Sequence, residues 1–125
     1  MKISKNEPIL KAPSAILFLI GLMVSIHIIL TKILSSGLST SLFLNLAFVP
    51  DDFSRGDKLW TLISYAFLHG SWEHLIMNMV WLLAFGSAVA KRIESAKIYL
   101  LFFLLCCVIA IQVQYFFSQE SLIPI

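Results

Sequence analysis

The hydrophobic residues of this chain are concentrated in three long stretches separated by polar segments. Residues 12–31 and 98–119 contain no Asp, Glu, Lys or Arg, and about 20 apolar helical residues are enough to cross a bilayer. A further apolar stretch begins near Ser71 and ends at Lys91 and Arg92. The pattern predicts an all-α, polytopic membrane bundle with three transmembrane helices, at about residues 14–34, 71–92 and 97–117.

The segment between the first two spans is long and mixed in character. Residues 35–58 contain several Ser, Thr, Gly and Pro residues but also the apolar Leu42, Phe43 and Leu44, a combination typical of a loop in the membrane interface. Residues 59–68 are largely apolar again. We expect this last part of the loop to be partly helical and to lie against the second span.

The start of the chain resembles both an anchor helix and a signal peptide. Lys2, Lys5 and Lys11 precede Pro13, which suits the first turn of a helix. The apolar core of a signal peptide has about 7–15 residues, and the apolar run here is longer. This length favours a retained first span, with a signal peptide as the alternative.

Composition agrees with a membrane protein. Of the 125 residues, 59% are hydrophobic and 13% charged, and the mean hydropathy is +0.91, which is far from the average of a soluble domain. No composition boundary or repeat divides the chain, so we expect a single membrane domain over residues 1–125. The net charge is only +2, and the basic residues lie beside the spans. Nucleic-acid binding therefore has no support.

The charges around the spans predict an orientation. Residues 1–13 and 91–97 each carry a net side-chain charge of +2, whereas residues 35–58 and 118–125 each carry −1. By the positive-inside rule, the N-terminus and the second connection are cytoplasmic and the long loop faces outward. We expect an integral protein of the cell's inner (plasma) membrane, with the lipid bilayer as its first partner.

The second span carries a polar pair, His74 and Asn78, which share one helix face because they are four residues apart. Polar side chains in an apolar helix cost free energy unless they find partners. One interpretation is an interhelical hydrogen bond that fixes packing. The other is a pair of neutral donors for a developing oxyanion, which also requires a nucleophile and a base. Spacing alone leaves both open and assigns neither nucleophile nor base.

Other residues of the second span have simpler interpretations. Ser71 is a predicted N-cap, and Glu73 in the first turn suits the positive end of the helix dipole. The order of His69, Glu73 and His74 matches no zinc signature, so we expect no metal. The pairs with small-x-x-x-small spacing, which predict a close packing face, are Gly86 with Ala90 and Ala84 with Ala88.

Two features of the other spans are also predicted to serve packing. His27 is alone in the first span and is expected to bond to a neighbouring helix. Cys106 and Cys107 are adjacent within the third span and are expected to pack as small apolar residues.

The run from Trp60 to Ile93, WTLISYAFLHGSWEHLIMNMVWLLAFGSAVAKRI, resembles the end of the first loop and the second transmembrane helix of the rhomboid family of intramembrane serine proteases. The resemblance rests on a combination of five features: Trp60, Phe67-Leu68-His69, His74-x-x-x-Asn78, Phe85-Gly86 and the basic end of the helix at Lys91-Arg92. The order of anchor, long outer loop, second helix, short turn and third helix also fits the first half of the family's six-helix fold.

The resemblance implies a function for the polar pair. The family uses a Ser and His dyad, with the serine in a Gly-x-Ser-Gly motif that opens the fourth helix and the histidine in the sixth. The matched His74 and Asn78 would then help to bind the oxyanion, and His69 would be a structural histidine of the outer loop. No cofactor is implied. The complete protein would cleave transmembrane proteins.

This sequence contains no Gly-x-Ser-Gly: its Gly-Ser steps are Gly70-Ser71 and Gly86-Ser87. We therefore expect the chain to be the N-terminal, three-helix part of such a protease and to be inactive alone. The alternative is a non-catalytic rhomboid-like protein that binds transmembrane clients. A three-helix bundle leaves the polar pair short of partners, which predicts marginal stability or helix–helix association with other chains.

Two positions depart from the family pattern. Thr61 follows Trp60 where the family commonly has arginine, and Ala90 stands where many members have glutamate. Neither position takes part in the family's catalytic chemistry, so the departures concern the anchoring of the loop.

Overall fold

The computed structural model describes residues 13–118, which are mainly helical with no strand in that range. Three of the helices are long and apolar enough to cross a membrane, and they confirm the predicted membrane bundle. Their bounds differ from the predicted ones by at most one residue at each end. The first, second and third spans are Ser14–Ile33, Trp72–Ile93 and Ala96–Ser118. The lysine-rich lead and the tail after Ser118 lie outside the described residues.

The core lies where the three spans meet, near the start of the first span and the end of the second. Ile16 and Leu19 are almost completely buried, and they pack with Ala15, Ala90 and Tyr99. Ala90, which stands where many family members have glutamate, is thus an apolar core residue here.

Only one of the two predicted small-residue pairs forms a packing face within the described part of the chain. A Cβ built at Gly86 would come within 3.0 Å of side-chain atoms of Ile16 and Tyr99, so the missing side chain lets both neighbouring spans approach. Ala84 and Ala88 are exposed, so that pair forms no packing face among residues 13–118. The two pairs lie on different faces of the helix, and the neighbouring spans cover only one of them.

Between residues 13 and 118, two helical segments have π-type hydrogen bonding, which the hydrophobic pattern does not predict. They are Ile29–Ile33, which ends the first span, and Leu82–Gly86, in the middle of the second. A π turn holds one more residue than an α turn and rotates the residues that follow it. The second span ends where Glu94 takes a left-handed conformation, with φ of 62°, and a short turn leads to the third span.

The loop between the first two spans is partly helical, as predicted. Its helices are Ser36–Leu46, Pro50–Ser54 and Thr61–Ser64, and a 3₁₀ turn, Tyr65–Phe67, follows the last of them.

Side-chain hydrogen bonds join the end of the loop to its first helix. The Trp60 indole Nε1 donates to the carbonyl of Asn45 at 2.9 Å, and the Ser64 hydroxyl donates to the carbonyl of Leu46 at 2.7 Å. Both carbonyls belong to the last turn of Ser36–Leu46, where backbone acceptors lack helical partners. The loop is therefore tied together without the arginine that commonly follows this tryptophan in the family.

The loop packs chiefly against the third span, whereas the prediction placed its last part against the second span. Phe67 contacts Phe103, with ring centroids 6.2 Å apart, and the ring of Tyr115 lies 5.0 Å from that of Phe53. Both third-span residues are aromatic, and they give the aromatic residues of the loop a matching surface.

Candidate functional site

The second span begins at a side-chain cap. The Ser71 hydroxyl accepts a hydrogen bond from the backbone N–H of His74 at 3.2 Å, and Glu73 lies in the first turn. The predicted N-cap is thereby confirmed. A capped N-terminus fixes where the helix starts, and it places His74 in the first turn and Asn78 one turn further along.

His74 and Asn78 lie one turn apart, and both residues are exposed. Within residues 13–118, neither side chain forms a hydrogen bond. The hydrogen bond between His74 and Ser71 uses the backbone N–H of His74. The interhelical hydrogen bond that would make the pair a packing device is therefore not formed by the described residues. The imidazole and the carboxamide keep their donors free.

His69 lies next to this pair, although the family resemblance implied only a structural role for it in the loop. Its ring meets that of His74 edge to face, with centroids 5.1 Å apart. His69 is only 6% exposed. Burial lowers the pKa of its imidazole below the ordinary 6.5, His74 and His27 lower it further, and the Phe67 carbonyl raises it. A depressed pKa favours the neutral ring.

A cavity of about 290 Å³ joins His69 to Asn78. His69 and Ala66 line the cavity from the loop, and Asn78 lines it from the second span. The cavity takes residues from all three spans and the loop; its other lining residues are Met23, Leu82, Phe103 and Cys107. His74 lies outside this lining and reaches the cavity wall through its contact with His69. The sequence did not indicate this cavity, because its residues come from four separate segments.

His27 packs against the start of the second span, as its lone position in the first span suggested. Its ring lies edge to face on Trp72, with centroids 4.5 Å apart, and the residue is 3% exposed. The contact is aromatic; the predicted hydrogen bond is not formed at Nε2, which has no partner within the described range.

The remaining candidates do not form a site. No three His, Cys, Asp or Glu side chains among residues 13–118 are grouped closely enough to hold a metal ion. Cys106 and Cys107 are free thiols, the first exposed and the second buried. Of the two, only Cys107 packs inside the chain.

The fold and the polar residues at the start of the second span define an integral membrane protein with a partly enclosed polar site. Residues 56–123, just over half of the chain, match the family model of the Rhomboid domain. The chain belongs to the rhomboid family. The matched region includes the end of the loop, the second span and the third span.

Two curated relatives carry the same family name. The Rhomboid protease GlpG of Serratia proteamaculans (strain 568) is 38% identical over 52 residues, which are 42% of this chain and 19% of that protein. The Rhomboid protease GlpG of Klebsiella pneumoniae (strain 342) is 41% identical over 49 residues, 39% of this chain and 18% of that protein. The matched segments thus span less than a fifth of these relatives. No solved structure matches the chain significantly.

Proposed function

We propose that this chain supplies the first three helices of a rhomboid-type intramembrane serine protease, in which His74 and Asn78 stabilise the oxyanion. The substrate class is transmembrane proteins, cleaved near the outer face of the inner membrane. The N-terminus is cytoplasmic. The serine and histidine of the family dyad are not assigned to residues of this chain, which alone has no proteolytic activity.

One observation carries the proposal: the donors of the polar pair are not used for packing. A membrane helix rarely keeps two free donors on one face without a functional reason, since each costs free energy in an apolar surrounding. Asn78 and His69 line the same cavity. Such donors are effective because they are already in place when negative charge develops on the carbonyl oxygen.

A chimera tests this function. Residues 14–118 replace the corresponding helices of the Serratia proteamaculans GlpG, and the purified chimera is assayed on a model transmembrane substrate. We expect cleavage by the chimera and none by the 125-residue chain. His74→Ala and Asn78→Ala should each lower kcat by roughly 10²–10³-fold, the usual loss for one oxyanion donor, with little change in KM.

Met77→Ala is the matched control, because Met77 lies beside Asn78 and is exposed. It should leave kcat unchanged, and all variants should keep the thermal midpoint of the parent chimera. Normal kcat in both His74→Ala and Asn78→Ala would refute the oxyanion role.

A second function, binding of transmembrane clients without cleavage, is favoured by a different feature. A groove of about 370 Å³ runs between the first and second spans and is lined only by apolar side chains and Trp72, among them Val24 and Leu75. Such a groove suits an apolar helix. A chimera that folds but does not cleave would favour this function.

A further inference from the structure

Tyr65 connects the loop to the third span through a hydrogen bond. Its hydroxyl donates to the backbone carbonyl of Cys107 at 2.6 Å, across 42 positions of sequence. Burial, with a smaller effect of Cys107, raises the pKa of Tyr65 to about 12. The phenol therefore stays protonated near neutral pH and can always donate.

This bond has no equivalent elsewhere in the loop. Trp60 and Ser64 bind carbonyls of the loop's own first helix, and Ser39 binds the carbonyl of Leu30 in the first span. Within residues 13–118, the bond from Tyr65 is the one side-chain hydrogen bond that joins the loop to the third span. Movement of the segment away from the third span would leave the Tyr65 phenol without a partner in a poorly solvated place, where an unpaired polar group is costly.

A second contact of the same segment lies one helical turn away. Phe67 packs on Phe103, which is four residues before Cys107 and so shares its face of the third span. The short segment from Tyr65 to His69 is thus held at two points, one polar and one apolar. Two points fix its position along the third span as well as its distance from it.

The segment ends at the site. Ala66 and His69 line the same cavity as Phe103 and Cys107, and the His69 ring contacts that of His74. A chain of contacts therefore runs from the Cys107 carbonyl through Tyr65 and the backbone to His69, and from His69 to the polar pair.

We propose that Tyr65 is a positioning residue: its hydrogen bond to Cys107 holds the segment Tyr65–His69 against the third span and so keeps His69 beside His74. Its effect on catalysis rests on the function proposed above for His74. The arrangement uses the third span as a support for the site, although that span contributes no oxyanion donor.

The first experiment uses the 125-residue chain and needs no activity. Histidines are labelled with ¹³C, and the His69 ring is titrated by NMR in detergent micelles for wild type, Tyr65→Phe and Tyr115→Phe. The groups that face His69 are His74, His27 and the Phe67 carbonyl. Tyr65→Phe removes only the hydroxyl, so the segment should loosen, water should reach His69, and its pKa should rise toward the ordinary value.

Tyr115→Phe is the matched control, because the Tyr115 ring packs against Phe48 and Phe53 while its hydroxyl makes no hydrogen bond among the described residues. It should titrate like wild type. Identical His69 titrations in Tyr65→Phe and wild type would overturn the proposal.

The second experiment places Tyr65→Phe in the GlpG chimera. We expect kcat to fall roughly five- to tenfold with unchanged KM, while the thermal midpoint falls only by the few degrees that one lost hydrogen bond accounts for. An active chimera with normal kcat in Tyr65→Phe would refute the positioning role and leave the proposed function intact. An inactive chimera, with the expected His69 titration in the isolated chain, would refute the proposed function and support the placement of His69 by Tyr65.

Discussion

Gly86 of the second span lies against the hydroxyl of Tyr99 in the third span: a Cβ added at Gly86 would come within 2.9 Å of that oxygen. The same Cβ would meet Ile16 of the first span at 3.0 Å and Leu82 at 2.9 Å. Ile16 and Tyr99 are buried and have little room to move. One missing side chain therefore sets the spacing of three helices.

Replacing Gly86 by alanine should destabilise the bundle by about 1–2 kcal/mol, because three side-chain ends must shift in a closely packed core. Gly21→Ala is the matched control: a Cβ there meets nothing within 4 Å, and alanine is the better helix former. Thermal unfolding in detergent, followed by circular dichroism, measures both. A Gly86→Ala midpoint equal to or above that of Gly21→Ala would show that the contact does not limit packing.

Acid should destabilise the protein through His69. Its folded-state pKa lies below the ordinary 6.5, chiefly because of burial. Above pH 6.5 the ring is neutral in both states and the full stability is present. As the pH falls below 6.5, the unfolded chain takes up the proton first, and stability declines until the pH reaches the folded-state pKa.

The measurement is the unfolding midpoint in detergent at a series of pH values from 7.5 to 5. His69→Gln removes the titrating group and should flatten the decline. His74→Gln removes one of the smaller causes of the His69 shift, so it should reduce the decline without abolishing it. A decline of equal size in His69→Gln and wild type would mean that another group is responsible.

The orientation can be checked by labelling single cysteines in intact cells. In a Cys106→Ala, Cys107→Ala background, Ser54→Cys places an exposed thiol on the loop and Ala96→Cys places one at the first residue of the third span. If the loop faces outward, a membrane-impermeant maleimide should label Ser54→Cys only. Labelling of Ala96→Cys alone would reverse the predicted topology.

The spans were predictable because their signal is local. Uninterrupted apolar length and flanking charge give the position of a membrane helix to within a residue or so, and the N-cap at Ser71 is likewise a short-range pattern. The Gly86 contact was partly predictable, because small-residue spacing identifies a face that can pack closely. It does not identify which neighbour covers that face, and so the exposed pair Ala84 and Ala88 gave the same signal.

The environment of the site was not predictable from pattern. His69 and Asn78 share a cavity because the loop folds onto the third span, and that position depends on contacts such as Phe67 with Phe103 between residues far apart in sequence. The loop was expected against the second span, which follows it directly in the chain. Sequence proximity was a poor guide because the aromatic surface that fits the loop lies on the third span.

The contacts between the loop and the third span extend from Phe103 to Tyr115, a distance of about 18 Å at the helical rise of 1.5 Å per residue. This is more than half of a hydrocarbon core about 30 Å thick. Within residues 13–118, the loop therefore broadens the bundle over the outer part of that depth. We expect acyl chains beside the loop to pack around a wider body than those at the opposite end of the third span.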